Sequence, residues 1–322
     1  MVTCESFLAP HIQAFVRFRQ ASEFWNESSY GVNLSLFDKH CARSYPNATE
    51  LTQEMVDGWC RKRETETNNS CRSRIYVVVD LVRYMRERGL TTVSDPEIPR
   101  KEKRTYIPHA FTEGELAAFF RGCDELPVRR GHKDSMSRKL TVPVFFRLLY
   151  SGGLRTTEAR LLRSDDVDLE HGVLNIRESK GHDQHYVVLH DSMLELMRRY
   201  DEAIGRLFPD RTYFFPRSKD SCHSAKWVQR NFRLVWDAVS DCREAVPYEL
   251  RHQYATENIN SWVELGLSFE EMLVYLSKSM GHGDLGSTKG YYSLTPVLAD
   301  IIEELSGESF DWIVPEVVAD EG

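Results

Sequence analysis

The stretch VPYELRHQYAT, residues 246–256, sets Arg251 beside His252 in a segment whose spacing predicts a half-buried helix. Pro247 suits a first helical turn, where the missing N–H costs nothing. Leu250, Tyr254 and Ala255 then fall on one apolar face, while Tyr248 and Arg251, three residues apart, share another. On these residues alone, Arg251 reads as a surface arginine lying over an aromatic stem. Pairing a phenol with a guanidinium at a domain edge is also what an anion-handling site requires. The rest of the chain has to decide between the two.

Upstream, SFLAPHIQAFVRF (6–18), NLSLFDKHCARSY (33–45) and TQEMVDGWCRKRE (52–64) each place apolar residues at helical spacing. SRIYVVVDLVRYMRERG (73–89) is rich in β-branched residues. Its length, its Ile75, Val78, Val79, Val82 and Met85 spacing and its closing Gly89 predict a helix all the same. Residues 1–90 therefore read as a small four-helix domain. Residues 91–110, TTVSDPEIPRKEKRTYIPHA, have three prolines and no periodicity, and carry Arg100, Lys101, Lys103 and Arg104. They read as a basic linker, suited either to a solvated surface or to crossing a DNA backbone.

The second domain, 111–296, opens at FTEGELAAFF with Thr112 and Glu115 in a capping-box pattern. A buried helix through LTVPVFFRLLYSGG (140–153) stops at Gly152 and Gly153. GVLNIRES and QHYVVLH, joined by KGHD (180–183), predict a β-hairpin. Helical patterns resume at 191–206 and 225–243, at the opening stretch, and at SFEEMLVYLSKSMGHG (268–283), where Ser268 and Glu271 form a second capping-box pattern and Gly281 the stop. The fold class expected is mainly α: a helical N-terminal domain and a mostly helical α/β domain with a small antiparallel sheet.

Composition narrows the function classes. The 322 residues are 41% hydrophobic and 28% charged, as in a soluble globular protein. No apolar run approaches the roughly 20 residues that span a bilayer, and the first residues show no secretory signal, so a cytoplasmic protein is expected. Seven scattered cysteines without a Cys-x-x-Cys argue for reduced thiols rather than disulfides or zinc. The net charge of −8 is uneven: from residue 264 onward there are twelve acids and two lysines, which leaves residues 1–263 at +2. The total charge therefore does not exclude nucleic acid as a partner.

Four motifs now stand in order: GLRTTEARLLRSDDV (153–167), ESKGHDQHYVVL (178–189), YELRHQYAT (248–256) and MGHGDLGSTKGYY (280–292). Together, over roughly residues 107–296, they resemble the catalytic domain of the tyrosine recombinase, or phage integrase, family, in its two-domain Xer-like form. Residues 1–90 resemble that family's core-binding domain by pattern only. The resemblance implies that Arg155 and Arg251 are the two catalytic arginines, Lys180 the hairpin lysine and His282 the later histidine. Tyr291, nine residues beyond His282, is then the nucleophile, with Tyr292 its competitor. One departure is visible: the family commonly has His-x-x-Arg where this chain has Tyr248 before Arg251. A phenol can donate to a phosphate oxygen but does not accept a proton at neutral pH, which leaves the general-base step open.

The implied chemistry suits these residue types. Two guanidiniums clamp the non-bridging oxygens of a phosphodiester under attack. Tyrosine displaces the 5′-oxygen and leaves a 3′-phosphotyrosine, and a mobile hairpin lysine protonates the leaving oxygen. No metal or nucleotide cofactor is required, and neither ligand motifs nor a phosphate-binding glycine loop are present. The partners implied are double-stranded DNA and further copies of the chain, as a tetramer on DNA, with no membrane. The acidic and apolar tail, 297–322, either folds back on its own domain or docks on a neighbouring protomer. Two other readings stay open: a DNA-binding architectural protein that has lost catalysis, and a type IB topoisomerase-like enzyme. The target sequence, and the choice between integration, transposition and replicon resolution, are not legible.

Overall fold

The chain divides into two units, Met1–Thr105 and Tyr106–Gly322, and helices supply most of the described residues of each. The structure is a computed structural model that describes residues 4–22, 25, 27–102, 108–129, 131–177, 184–264 and 269–281.

In the first unit, α1 (Ala9–Ala21) starts with a proline in its first turn. A π-helical turn, Glu27–Gly31, runs directly into α2 (Val32–Ser44). The shorter α3 (Gln53–Cys60) and the long α4 (Asn68–Glu87) are capped by Thr52 and Thr67, whose side chains accept from the N–H groups of Met55 and Ser70. Each cap satisfies a donor that the first turn leaves open. Ile12 and Phe15, Leu34 and Phe37, Met55 and Val56, and Ile75, Val78 and Val82 meet in one core.

Two buried charges hold the unit's edges. Asp38 accepts from the Glu5 and Ser6 N–H groups at 2.6 and 3.2 Å. Arg74 bridges the carbonyls of Trp59 and Arg61 and pairs with Glu66 at 2.8 Å, which holds the Glu66 carboxyl down at about 2. The segment expected to be a linker, 91–110, is described at 91–102 and 108–110, and the first of these stretches is packed on the helical unit. Val93 enters the core, Arg83 and Arg86 pair with Asp95, and Asn69 exchanges hydrogen bonds with the Glu102 backbone.

The second unit opens with α5 (Glu113–Asp124) and the reciprocal Thr112–Glu115 capping box that the sequence predicts. α6 (Lys133–Gly152) begins seven residues before the apolar run and carries Pro143 inside it. The short α7 (Thr156–Leu161) leads through a 3₁₀ turn, Ser164–Asp166, into β1 (Val167–Asp168). β2 (Val173–Ile176) and β3 (His185–Val188) form the expected hairpin, with Val173 opposite Val188 and Ile176 opposite His185. β1 adds a third antiparallel strand on the far side of β2, in the order β1-β2-β3.

α8 (Asp191–Leu207) follows, then the two-stranded ribbon β4 (Pro216–Ser218) and β5 (Ser221–Cys222). α9 (Ala225–Val239) ends four residues earlier than expected. α10 (Glu249–Glu264) and α11 (Phe269–Ser279) complete the described elements. Ser268, the expected cap of α11, lies outside the described residues. The core is aromatic: Phe119, Phe145, Phe146, Phe215, Phe232 and Trp236 pack mainly edge-on and tilted at centroid distances of 5.1–6.1 Å. Such pairs add to the stabilisation from burial itself. Among the described residues, no helix is long and apolar enough to cross a membrane.

Candidate active site

Two glycines shape the backbone around Arg155 and Arg251. Gly153 ends α6 at φ 60°, and a Cβ there would collide with the Tyr254 ring. Gly281 follows α11, also at φ 60°, and a Cβ there would lie 2.5 Å from the His185 ring on β3. Only glycine meets both the backbone conformation and the space.

Past Gly153 the chain places Arg155 at the N-cap of α7, and Glu158, three residues on, reaches back to it. Glu158 Oε2 accepts the Arg155 backbone N–H at 2.8 Å, and Oε1 accepts from Arg155 Nη1 at 2.5 Å. The same carboxylate faces Arg251, with Nη1 3.7 Å from Oε2. Arg251 donates to the Gly153 carbonyl through Nη1 and to the Met280 carbonyl through Nη2, each at 2.6 Å. Arg155 Nη2 donates to the Gly281 carbonyl at 3.2 Å. The ends of α6 and α11, the start of α7 and the first turn of α10 thus meet on one Arg–Glu–Arg cluster. The Arg251 and Glu158 side chains are 1% exposed and that of Arg155 is 15% exposed.

This corrects the reading of Arg251 as a surface arginine over an aromatic stem. Its guanidinium is buried, and its direction is fixed by carbonyls. Tyr248 is not on the same helix face, because α10 starts one residue later and Pro247 and Tyr248 form the turn before it. Tyr248 is 40% exposed and sets its ring edge-on against His252, with centroids 5.0 Å apart. Burial, and then the Arg251 charge, push His252 down to about 4, so its imidazole is neutral at physiological pH.

The structure therefore brings Arg155 and Arg251 together, with Tyr248 one turn from Arg251. Lys180, His282 and Tyr291 lie outside the described residues, as do Lys103 and Arg104. Arg100 and Lys101 are exposed residues of the first unit. Glu158 is a functional candidate that the motifs do not single out. Its signal is present in RTTE, an acid three residues after an arginine at a helix start, which on its own reads as an ordinary capping residue.

Known proteins place the chain in a family. The sequence profile of the phage integrase family matches residues 128–296, more than half of the chain. The chain is 28% identical to y4rE of Sinorhizobium fredii over 57% of its length, spanning about three fifths (59%) of that protein. It is 28% identical to the tyrosine recombinase XerA of Thermococcus kodakarensis over 74% of its length and 79% of that protein. Among solved structures, the site-specific recombinase XerH bound to its difH substrate covers 82% of this chain and 76% of its own, at TM-score 0.60 and 16% identity. A lambda integrase tetramer bound to a Holliday junction covers 86% of this chain and 77% of its own, at TM-score 0.56 and 16% identity. The structural likenesses establish the shared fold. With two arginines held on one buried carboxylate and the family profile running through all three, the chain belongs to the phage integrase family of tyrosine recombinases, enzymes that act on DNA.

Proposed function

We propose that the chain cuts and rejoins duplex DNA at specific sites through a phosphotyrosine bond to Tyr291. The observation that carries this reading is the convergence of Arg155 and Arg251 on Glu158. Two guanidiniums at close range repel each other, and a pair drawn out of water needs a counter-charge. Glu158 supplies part of it in the free protein. The phosphodiester supplies the rest when bound, and more as charge builds on its non-bridging oxygens in the transition state. The carbonyls of Gly153, Met280 and Gly281 aim the forks before substrate arrives, so little reorganisation remains for the chemical step.

In the proposed reaction, Tyr291 Oη gives up its proton to solvent water as it attacks the scissile phosphorus, and the bond to the 5′-oxygen breaks. The leaving oxygen takes a proton from Lys180, and the strand stays attached through its 3′-phosphate. Rejoining reverses these steps with the 5′-hydroxyl of a second duplex. His282 would donate to the same phosphate. Tyr248 would contribute a hydrogen bond there but no base at neutral pH. Four copies on two duplexes, joined through the tail at 297–322, would provide the paired sites. Arg100, Lys101, Lys103 and Arg104 would neutralise phosphates beside the helical domain.

A pool of nicked suicide duplexes tests the reading against its alternatives. A recombinase forms an adduct stable in detergent and joins strands between duplexes. An architectural protein binds without an adduct. A topoisomerase-like enzyme forms the adduct but only relaxes supercoils, acting as a monomer.

A further inference from the structure

A cysteine, a histidine and a glutamate outside the four sequence motifs meet where the loop after α9 packs on the residues before α5. Cys242 Sγ lies 3.7 Å from His109 Nδ1, within reach of an S–H···N hydrogen bond, and His109 Nε2 lies 3.2 Å from Glu115 Oε1. Neighbours fix all three groups. His109 sets its ring edge-on against Phe111 and Trp236, at centroid distances of 5.0 and 5.6 Å, and its backbone N–H donates to Glu249 Oε1. The Cys242 carbonyl accepts from Trp236 Nε1 at 2.6 Å, and its N–H donates to Ser240 Oγ at 3.2 Å. Glu115 is held by the Thr112 capping box. Solvent reaches the cluster: Cys242 is half-buried, and the His109 and Glu115 side chains are 22% and 25% exposed. Most other cysteines are placed differently. Burial pushes Cys41, Cys60 and Cys123 up to about 12 and raises Cys71, while burial and then the Asp38 charge push Cys4 up to about 11.

We propose that Cys242 is a reactive thiol, with His109 as its base, that a hydroperoxide oxidises to a sulfenic acid. The arrangement is that of an assisted nucleophile, in which an imidazole beside the thiol takes its proton and a third group orients the ring. Glu115 accepts the Nε2–H, which leaves the Nδ1 lone pair facing the sulfur. In the step, the thiol proton passes to Nδ1, the sulfur attacks one peroxide oxygen and the O–O bond breaks. The leaving oxygen takes the proton from His109 and departs as water, or as an alcohol from an alkyl peroxide. Sulfur gives up the two electrons that the peroxide gains. The charged groups around the pair are Glu115 on α5, Glu249 at the start of α10 and Arg233 on α9. The Arg233 guanidinium is turned to the Arg243 and Ala245 carbonyls and to Asp237.

The full chain, fully reduced, is treated with hydrogen peroxide at neutral pH, sulfenic acid is trapped with dimedone, and the labelled peptides are mapped over time. Cys242 should label at least about tenfold faster than Cys222, which is also half-buried, on β5, and serves as the internal standard. His109→Gln should remove that advantage. Because the substitution also touches packing, wild type and variant are alkylated with iodoacetamide at about pH 9.5, where an accessible thiol ionises unaided. There the variant should label Cys242 as fast as wild type does. Labelling of Cys242 no faster than Cys222 overturns the proposal, and so does an advantage that survives in His109→Gln. A variant slow under both conditions would mean that His109 only keeps the thiol open, which overturns its role as base. If His109→Gln does not fold, the ratio of Cys242 to Cys222 labelling in wild type still decides whether the thiol is reactive.

Discussion

Glu158 joins two guanidiniums that the sequence separates by 96 positions, Arg155 and Arg251. The arginines themselves were legible, because each stands in a short motif and the motifs keep a fixed order. The carboxylate between them was not, since an acid at the third position of a helix is ordinary capping chemistry. Nor was the burial of Arg251, because a pattern of apolar neighbours does not reveal carbonyls that arrive from two distant helix ends. If the cluster holds the scissile phosphate, Arg155→Ala and Arg251→Ala each slow strand cleavage by more than the ~10²–10³ of one neutral oxyanion donor. Single-turnover rates on a nicked suicide duplex check this. Cleavage within tenfold of wild type would remove that arginine from the site.

At the scale of elements, the helices with strong apolar periods were legible, and so was the β2–β3 hairpin, whose two runs are set by β-branched residues. β1 was not, because two residues carry no period and Val167 pairs only once β2 exists. Nor were the first turns of α6, since KDSMSR has little to bury and carries no apolar period. Gly153 shows what the turn after α6 requires. Gly153→Ala meets both a left-handed backbone and the Tyr254 ring, and should cost about 2–5 kcal/mol in urea denaturation. Gly89→Ala is the control: it has the same sign of φ, at 68°, but nothing within 4 Å of a Cβ, so it should cost only about 1–2 kcal/mol.

The hairpin has its own test. If Lys180 protonates the leaving oxygen, Lys180→Ala is slow on normal DNA but near wild type on a bridging 5′-thio substrate, whose sulfur leaves without a proton. Arg251→Ala stays slow on both. Equal defects of Lys180→Ala on the two substrates would make it a phosphate holder only.

Across the whole molecule, charge is divided between a near-neutral body, +2 over residues 1–263, and an acidic end. Overall charge therefore says little about DNA, and the local basic cluster says more. Neutralising Arg100, Lys101, Lys103 and Arg104 together should weaken binding to every duplex alike. It should also flatten the salt dependence by roughly 0.9 for each phosphate that the cluster neutralises in wild type. An unchanged slope would make the cluster a solvated surface.

The central claim is that Tyr291 carries the cut strand, and one measurement meets it directly. Wild type, Tyr291→Phe and Tyr292→Phe are each incubated with nicked suicide duplexes, and any adduct is digested and its peptide mapped. Losing the Tyr291 hydroxyl removes only the attacking oxygen, so Tyr291→Phe should bind DNA as wild type does and form no adduct. Tyr292→Phe should still form one, with the 3′-phosphate on Tyr291. An adduct that persists in Tyr291→Phe and disappears in Tyr292→Phe would contradict the account.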